Sequence, residues 1–100
     1  DYNQAFYWYK KAAEAGNSNS MNKLANCYYN GEGTTKDYNQ AFYWYKKAAE
    51  AGNSDAMLNV GSMYLRGEGS TKDLNQAKYW YKKACEAGET FGCDTLKELN

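Results

Sequence analysis

The sequence predicts an all-α fold, an α/α superhelix in which antiparallel helix pairs stack as a solenoid. Three observations carry this. The stretch DYNQAFYWYKKAAEAGNS starts at Asp1 and recurs unchanged at Asp37, and an edited copy, DLNQAKYWYKKACEAGET, starts at Asp73, a period of 36 residues. Self-similarity on that scale marks repeat architectures. Within each copy the apolar residues return at helical spacing. The chain also contains no Pro, the residue that most often interrupts a helix.

The first helix of a unit is read best in the middle copy, from Asp37 to Ala51. Asp37 and Gln40 form a capping-box variant, with Asp at the N-cap and Gln three residues on. Gly52 suits a left-handed C-terminal cap. At 100° per residue, Ala41, Tyr45, Ala48 and Gly52 fall on one line, flanked by Tyr38, Phe42 and Ala49 on one side and by Trp44 and Ala51 on the other. Asn39, Tyr43, Lys46, Lys47 and Glu50 occupy the opposite arc, where Tyr43 is the lone aromatic. This is an amphipathic helix with a wide apolar face.

The second helix is predicted from Asp55 to Arg66 with Ser54 as N-cap. Met57, Val60, Gly61 and Tyr64 share a face, and Gly67 and Gly69 end the helix. The whole chain then reads as helices starting at Asp1, near Asn19, at Asp37, near Asp55 and at Asp73, with a stub from Phe91. Connections are short, so neighbours run antiparallel. The expected organisation is one solenoid domain over 1–100, with repeats 1–36 and 37–72 and a C-terminal capping repeat 73–100. One helix pair cannot bury so wide an apolar face, whereas stacked copies cover one another. Ala41, Ala48 and Gly61 let backbones approach, and Trp44, Tyr45 and Tyr64 fill the space that remains.

Composition narrows the function. Lys+Arg and Asp+Glu are both 12, so the formal charge is zero, which argues against a nucleic-acid or anionic-membrane surface. No apolar run is long enough to span a bilayer. There is no His, which removes the commonest general base and metal ligand. The first residue is not Met and no basic-then-apolar leader is visible, which reads as a mature product or an excised fragment.

These residues resemble the Sel-one-like repeat family, relatives of the tetratricopeptide repeat. The resemblance rests on Ala41, Trp44, Tyr45, Lys47, Ala48, Ala49, Gly52, Ala56, Val60-Gly61, Tyr64, Gly67 and Gly69. It runs over essentially the whole chain, with Ser20, Ala25 and Val60 as local departures from the family pattern. It implies an α/α superhelix acting as an adaptor for other proteins. In such stacks the second helices line the concave surface. Their non-core positions here are Asn19, Asn22, Asn26, Tyr29 and Asn30, then Asp55, Leu58, Ser62, Leu65 and Arg66. They vary between units and suit a peptide or protein partner, with Tyr29 and Arg66 as anchors.

The third unit carries the informative edits. Cys85 replaces Ala13 and Ala49, and Cys93 replaces Met21 and Met57, all apolar positions. They are either two buried thiols or a disulfide. The stretch ACEAGETFGC resembles the cysteine-rich secreted members of the family, which implies a Cys85–Cys93 bond and, with it, a secreted or periplasmic setting. Cys27 is expected to be free and buried. Lys78 replaces Phe6 and Phe42, and Lys97 replaces Ala25 and Gly61, as a terminal repeat with a polar outer face requires. The N-terminal face of Tyr2, Ala5 and Phe6 has no such edit, so part of it is expected to be bare unless another unit, a second molecule in an end-to-end or dimer contact, or missing upstream sequence covers it.

Catalytic signals are weak. Ser20-Met-Asn-Lys23 fits the S-x-x-K pattern of penicillin-recognising enzymes, and cysteine-rich relatives have been linked to β-lactams, but the companion motifs are missing. Secreted β-lactam binding or hydrolysis is therefore the alternative to a non-catalytic scaffold. Gly31-Glu-Gly33 and Gly67-Glu-Gly69 read as helix terminators, not phosphate loops. No metal site and no cofactor are expected. Lys10-Lys11, Lys46-Lys47 and Lys82-Lys83 sit near Glu14, Glu50 and Glu86, which reads as a solvated convex face.

Overall fold

Each unit folds as a helix hairpin because its caps and glycines fix where helices start and stop. A computed structural model describes residues 1–100 as six helices: α1 (Tyr2–Glu14), α2 (Ser18–Asn30), α3 (Tyr38–Glu50), α4 (Ser54–Arg66), α5 (Leu74–Glu86) and α6 (Thr90–Leu99). Asp1, Asp37 and Asp73 cap α1, α3 and α5, each carboxylate accepting from the amide of the Gln three residues on. The capping box is only half used. The amides of Asp37 and Asp73 instead donate to the carbonyls of Tyr28 and Tyr64, at 2.8 and 2.9 Å. Each linker is thereby tied back to the helix it has just left.

The second helices start one residue earlier than expected. Asn17 and Asn53 are their caps, accepting from the amides of Ser20 and Ala56, so Ser54 lies inside α4. Asn caps as well as Ser does, and Gly52 at φ +98° delivers the chain to Asn53 in an extended conformation. The equivalent residue before α6 is Glu89, which makes no cap bond and accepts from the Ser54 hydroxyl at 2.8 Å instead. The stub therefore begins at Thr90, without a side-chain cap.

Each helix packs on the helices before and after it in the chain, giving an elongated stack of 41 × 24 × 19 Å. The core runs along it, with Leu24, Val60 and Met63 fully buried among small residues. Gly61 is one point of closest approach, since a Cβ there would lie 3.2 Å from the Tyr81 ring. Phe6 and Phe42 pack edge-to-face on Tyr28 and Tyr64 of their own units, at 5.4 and 5.1 Å. Phe6 thus belongs to the interior of its hairpin and not to the bare N-terminal face, a correction to the expectation above. Lys78 stands at that position in the third unit, where the partner tyrosine is replaced by Asn100.

Cys85 and Cys93 are bonded, with Cα atoms 4.6 Å apart, and Cys27 is free and buried. The bond joins α5 to α6 where Gly92 approaches closely, since a Cβ there would lie 2.9 Å from the Tyr81 carbonyl. Gly92 is the one buried residue of α6.

Two glycines separate backbone freedom from space. Gly52 has φ +98° and open surroundings, whereas Gly69 has φ +70° and a Cβ there would fall 2.3 Å from the Tyr38 carbonyl. Gly52→Ala is expected to cost about 1 kcal/mol and Gly69→Ala more than ~2 kcal/mol, measured by urea unfolding. Cys85→Ser, with Cys93→Ser, is expected to remove about 2–3 kcal/mol. Amide exchange should then accelerate first in α6.

Candidate functional site

The second helices present side chains from the positions the sequence leaves variable. Several bind across the unit boundary. The Asn53 amide donates to Asn19 Oδ1 at 2.7 Å, and the Asn59 amide to Asn22 Oδ1 at 3.1 Å. The hydroxyl of buried Tyr45 donates to Asn26 Oδ1. Residues expected to be waiting for a partner thus already link one unit to the next. In the following unit Ser62 stands at the place of Asn26 and faces the Tyr81 hydroxyl.

Beyond these bonds lies a groove of about 370 Å³. Tyr29, Leu58, Ser62 and Arg66 line it together with Tyr45, Asn59, Met63, Glu68 and Phe91. Tyr29 is its pivot. Its ring stacks on Tyr38 at 4.8 Å, its hydroxyl donates to Glu68 Oε1 at 2.8 Å, and it accepts from the Arg66 guanidinium at 3.3 Å. Arg66 also lies 3.8 Å from Glu68 Oε1, and its side chain is 61% exposed. An exposed pair of this kind contributes little to stability, so Arg66 remains available to a ligand. Phe91, from α6, is 63% exposed at the rim.

Asn19, Asn22, Asn30, Asp55 and Leu65 are not among the residues lining this groove. Asn26 lines a separate hollow of about 190 Å³ with Tyr2, Ala5, Tyr9, Lys23 and Glu32. The two hollows are related by the repeat, because Tyr9, Lys23, Asn26, Cys27 and Glu32 correspond to Tyr45, Asn59, Ser62, Met63 and Glu68. Glu68, Asn59 and Phe91 were missed by sequence reasoning. The only signal for Glu68 was its place between two glycines that read as a helix stop.

Burial governs the titratable groups. It pushes the Tyr45 phenol far above its ordinary range, with the neighbouring Tyr29 and Cys27 adding to the effect. Tyr29 is also raised, first by desolvation and then by its bond to Glu68. The Cys27 thiol is raised by burial and by Glu32, which keeps it a poor nucleophile at neutral pH. No cluster of acidic or sulfur side chains converges in a way that could hold a metal. The Ser20 amide serves the cap of α2, and Lys23 Nζ lies 5.9 Å from the centre of the Tyr9 ring. On the outer side, Lys11, Lys47 and Lys83 lie 5.3–5.6 Å over the rings of Tyr7, Tyr43 and Tyr79, all about half exposed.

Tyr45→Phe removes the hydroxyl and leaves half-buried Asn26 free to meet water, an expected loss of about 1 kcal/mol. Asn26→Leu strands the buried hydroxyl and should cost about 1–3 kcal/mol, and a double-mutant cycle should find the two effects coupled. The raised Tyr45 pKa adds a pH signature. The folded state keeps its proton when the unfolded tyrosine, at its ordinary 10.0, has lost it. Stability is therefore full below pH 10 and falls as pH rises toward the folded value. Tyr45→Phe should flatten that alkaline slope in thermal melts.

The Sel1 repeat model matches residues 1–17, 18–53 and 54–89. Its units 18–53 and 54–89 join α2 with α3 and α4 with α5, a different frame on the same stack. No curated protein matches the chain significantly. Among solved structures, the protective antigen c5321 of uropathogenic Escherichia coli, described as displaying an SLR fold, is 36% identical with a TM-score of 0.96, covering 99% of this chain and 21% of its own. A Sel1 repeat protein from Oxalobacter formigenes is 36% identical with a TM-score of 0.92, covering 96% of this chain and 39% of its own. Helicobacter pylori cysteine rich protein B is 32% identical with a TM-score of 0.88, covering 91% of this chain and 68% of its own. The chain thus spans about a fifth of the first of these and under half of the second. With the family model matched along the 36-residue period and the fold shared with these proteins, the chain belongs to the Sel1 repeat family.

Proposed function

We propose that this protein is a non-catalytic scaffold that holds a peptide or protein segment in the groove between Tyr29, Leu58, Ser62, Arg66 and Phe91. The Sel1 repeat fold supports a protein-interaction role in general. The observation that carries the finer reading is the arrangement of this groove. Apolar Leu58, Met63 and Phe91 lie beside a cationic Arg66 and hydroxyl and amide groups, within one hollow. An apolar floor with a few convergent polar groups is the usual make-up of a binding site. Arg and aromatic residues dominate binding energy where they can be desolvated. The groove is built on helices tied across units by Asn19–Asn53 and Asn22–Asn59, so little ordering remains to oppose binding.

The groove favours an extended segment with an apolar residue for Leu58 and Phe91 and an acceptor for Arg66. Tyr2 and Ala5 on α1 offer a second contact face, which is distinct from the groove. The Cys85–Cys93 bond supports a role in an oxidising compartment, secreted or periplasmic. No helix is long and apolar enough to cross a membrane.

The test is a displayed peptide library selected on the wild-type protein, with selected peptides then titrated. Leu58→Asp and Arg66→Ala are expected to weaken binding at least ~10-fold each, a loss of about 1.4 kcal/mol; Arg66→Ala should leave the melting temperature nearly unchanged, whereas Leu58→Asp should lower it, because Leu58 packs half-buried against the core. Amide shift changes should centre on α4 and the start of α6. Peptides that bind both variants as tightly as wild type would place the site elsewhere.

A further inference from the structure

Arg66 and Glu68 are the only charged residues lining the groove, and they do not form a hydrogen-bonded pair. Arg66 Nη1 lies 3.8 Å from Glu68 Oε1, well beyond the roughly 2.7–2.9 Å of a charge-assisted hydrogen bond. That glutamate oxygen is already engaged, since it accepts from the Tyr29 hydroxyl at 2.8 Å. The same hydroxyl is the one hydrogen-bond acceptor the guanidinium has, at 3.3 Å from Nη1. The rest of the guanidinium fork meets no acceptor in the protein, and the side chain is 61% exposed.

Glu68 is poorly placed to close the gap. Its amide donates to the Met63 carbonyl at 2.9 Å, and Gly69 beside it presses on the Tyr38 carbonyl. Tyr29 is held in turn by its stack on Tyr38. The arrangement is not part of the repeat. Glu32 stands at the place of Glu68, but Asn30 stands at the place of Arg66 and Leu65 at that of Tyr29. An interaction required for stacking would recur with the period, as the tyrosine against a small residue does. This one belongs to the groove.

We propose that the groove takes its segment through a single carboxylate, bound on the open edge of Arg66, and that Tyr29 is the positioning residue that keeps Glu68 from occupying that edge. This rests on the groove reading above and names the group that the reading leaves open. A planar guanidinium matches a carboxylate with two parallel charge-assisted bonds, which a neutral peptide carbonyl does not offer. Charge decides against a phosphate. Arg66 and Glu68 cancel, so a carboxylate leaves the occupied groove with one negative charge and a phosphate with nearly twice that. Glu68 and the C-terminal end of α4 both repel the excess.

The probes are phenylacetate and phenylacetamide, which share a ring and differ in charge, titrated into the intact, disulfide-bonded protein. Phenylacetate should shift the Arg66 Nε–H resonance and the Leu58 methyls and bind at least ~5-fold more tightly than the amide. Arg66→Lys keeps the charge, loses the fork and should weaken binding. Glu68→Gln keeps an acceptor for Tyr29 and removes the competing charge, so phenylacetate should bind a few-fold more tightly. Tyr29→Phe should weaken binding, because Glu68 is then free to close on Arg66, and adding Glu68→Gln should restore it. A loss that Glu68→Gln does not restore would overturn the positioning role of Tyr29. Equal shifts by the two probes, or none, would overturn the carboxylate claim, as would tighter binding of benzyl phosphate. Library peptides separate this proposal from the groove reading. Peptides that shift amides along α4, yet bind unchanged when each acidic side chain and the chain terminus is replaced by its amide, leave the groove reading standing and overturn this one. Loss on amidating a side chain or the terminus supports it and identifies the source of the carboxylate. Peptides that shift residues away from α4 overturn the groove reading, and the two small probes still decide whether Arg66 takes a carboxylate.

Discussion

The contact between a second helix and the first helix of the next unit is the constraint on which everything else rests. It sets a small residue, Ala25 or Gly61, against a large phenol, Tyr45 or Tyr81, and offers that phenol one polar neighbour, Asn26 or Ser62. Burying a large apolar side chain contributes roughly 1.5–3 kcal/mol, and a satisfied hydrogen bond adds about 1 kcal/mol. The packing term is thus the larger, and the polar bond fixes register. Because both ingredients recur at the same spacing, successive hairpins settle in the same relative position. The groove is a by-product of that position.

The proposed binding surface and the stacking surface share residues. Tyr29 stacks on Tyr38 within the unit interface while its hydroxyl faces the groove and holds Glu68 and Arg66. Tyr45 is a core residue that also forms part of the groove floor. Arg66, whose side chain is 61% exposed, is freer to vary than Tyr29 and Tyr45. The third unit adds Phe91 to the groove wall and relies on a covalent bond to hold it, because α6 is short and lacks a side-chain cap.

Much of the fold was legible in the sequence because the repeat states it more than once. The period, the Asp caps, the line through Ala41, Tyr45 and Ala48, and the close-packing role of Gly61 all follow from residue type and spacing. The second-helix cap was misplaced by one because Asn53 and Ser54 are both good caps and only the backbone path after Gly52 chooses between them. Phe6 was assigned to the outer face because helical spacing locates an apolar side chain without saying which neighbour covers it. The asparagine links were not legible at all. An amide on the polar side of a helix looks the same whether it faces water or another amide one unit away. Glu68 and Phe91 enter the groove through a loop and a terminal helix, whose directions no periodicity encodes.

The linkers between units are pinned at both ends. Gly33 and Gly69 press against the backbone of Tyr2 and Tyr38, and the amides of Asp37 and Asp73 are bonded to Tyr28 and Tyr64. These are main-chain contacts, indifferent to which side chains the second helices display. Curvature and pitch are consequently written into the backbone, while the character of the displayed surface is written into side chains. Such a scaffold can change the surface it displays over evolutionary time with its shape unaltered.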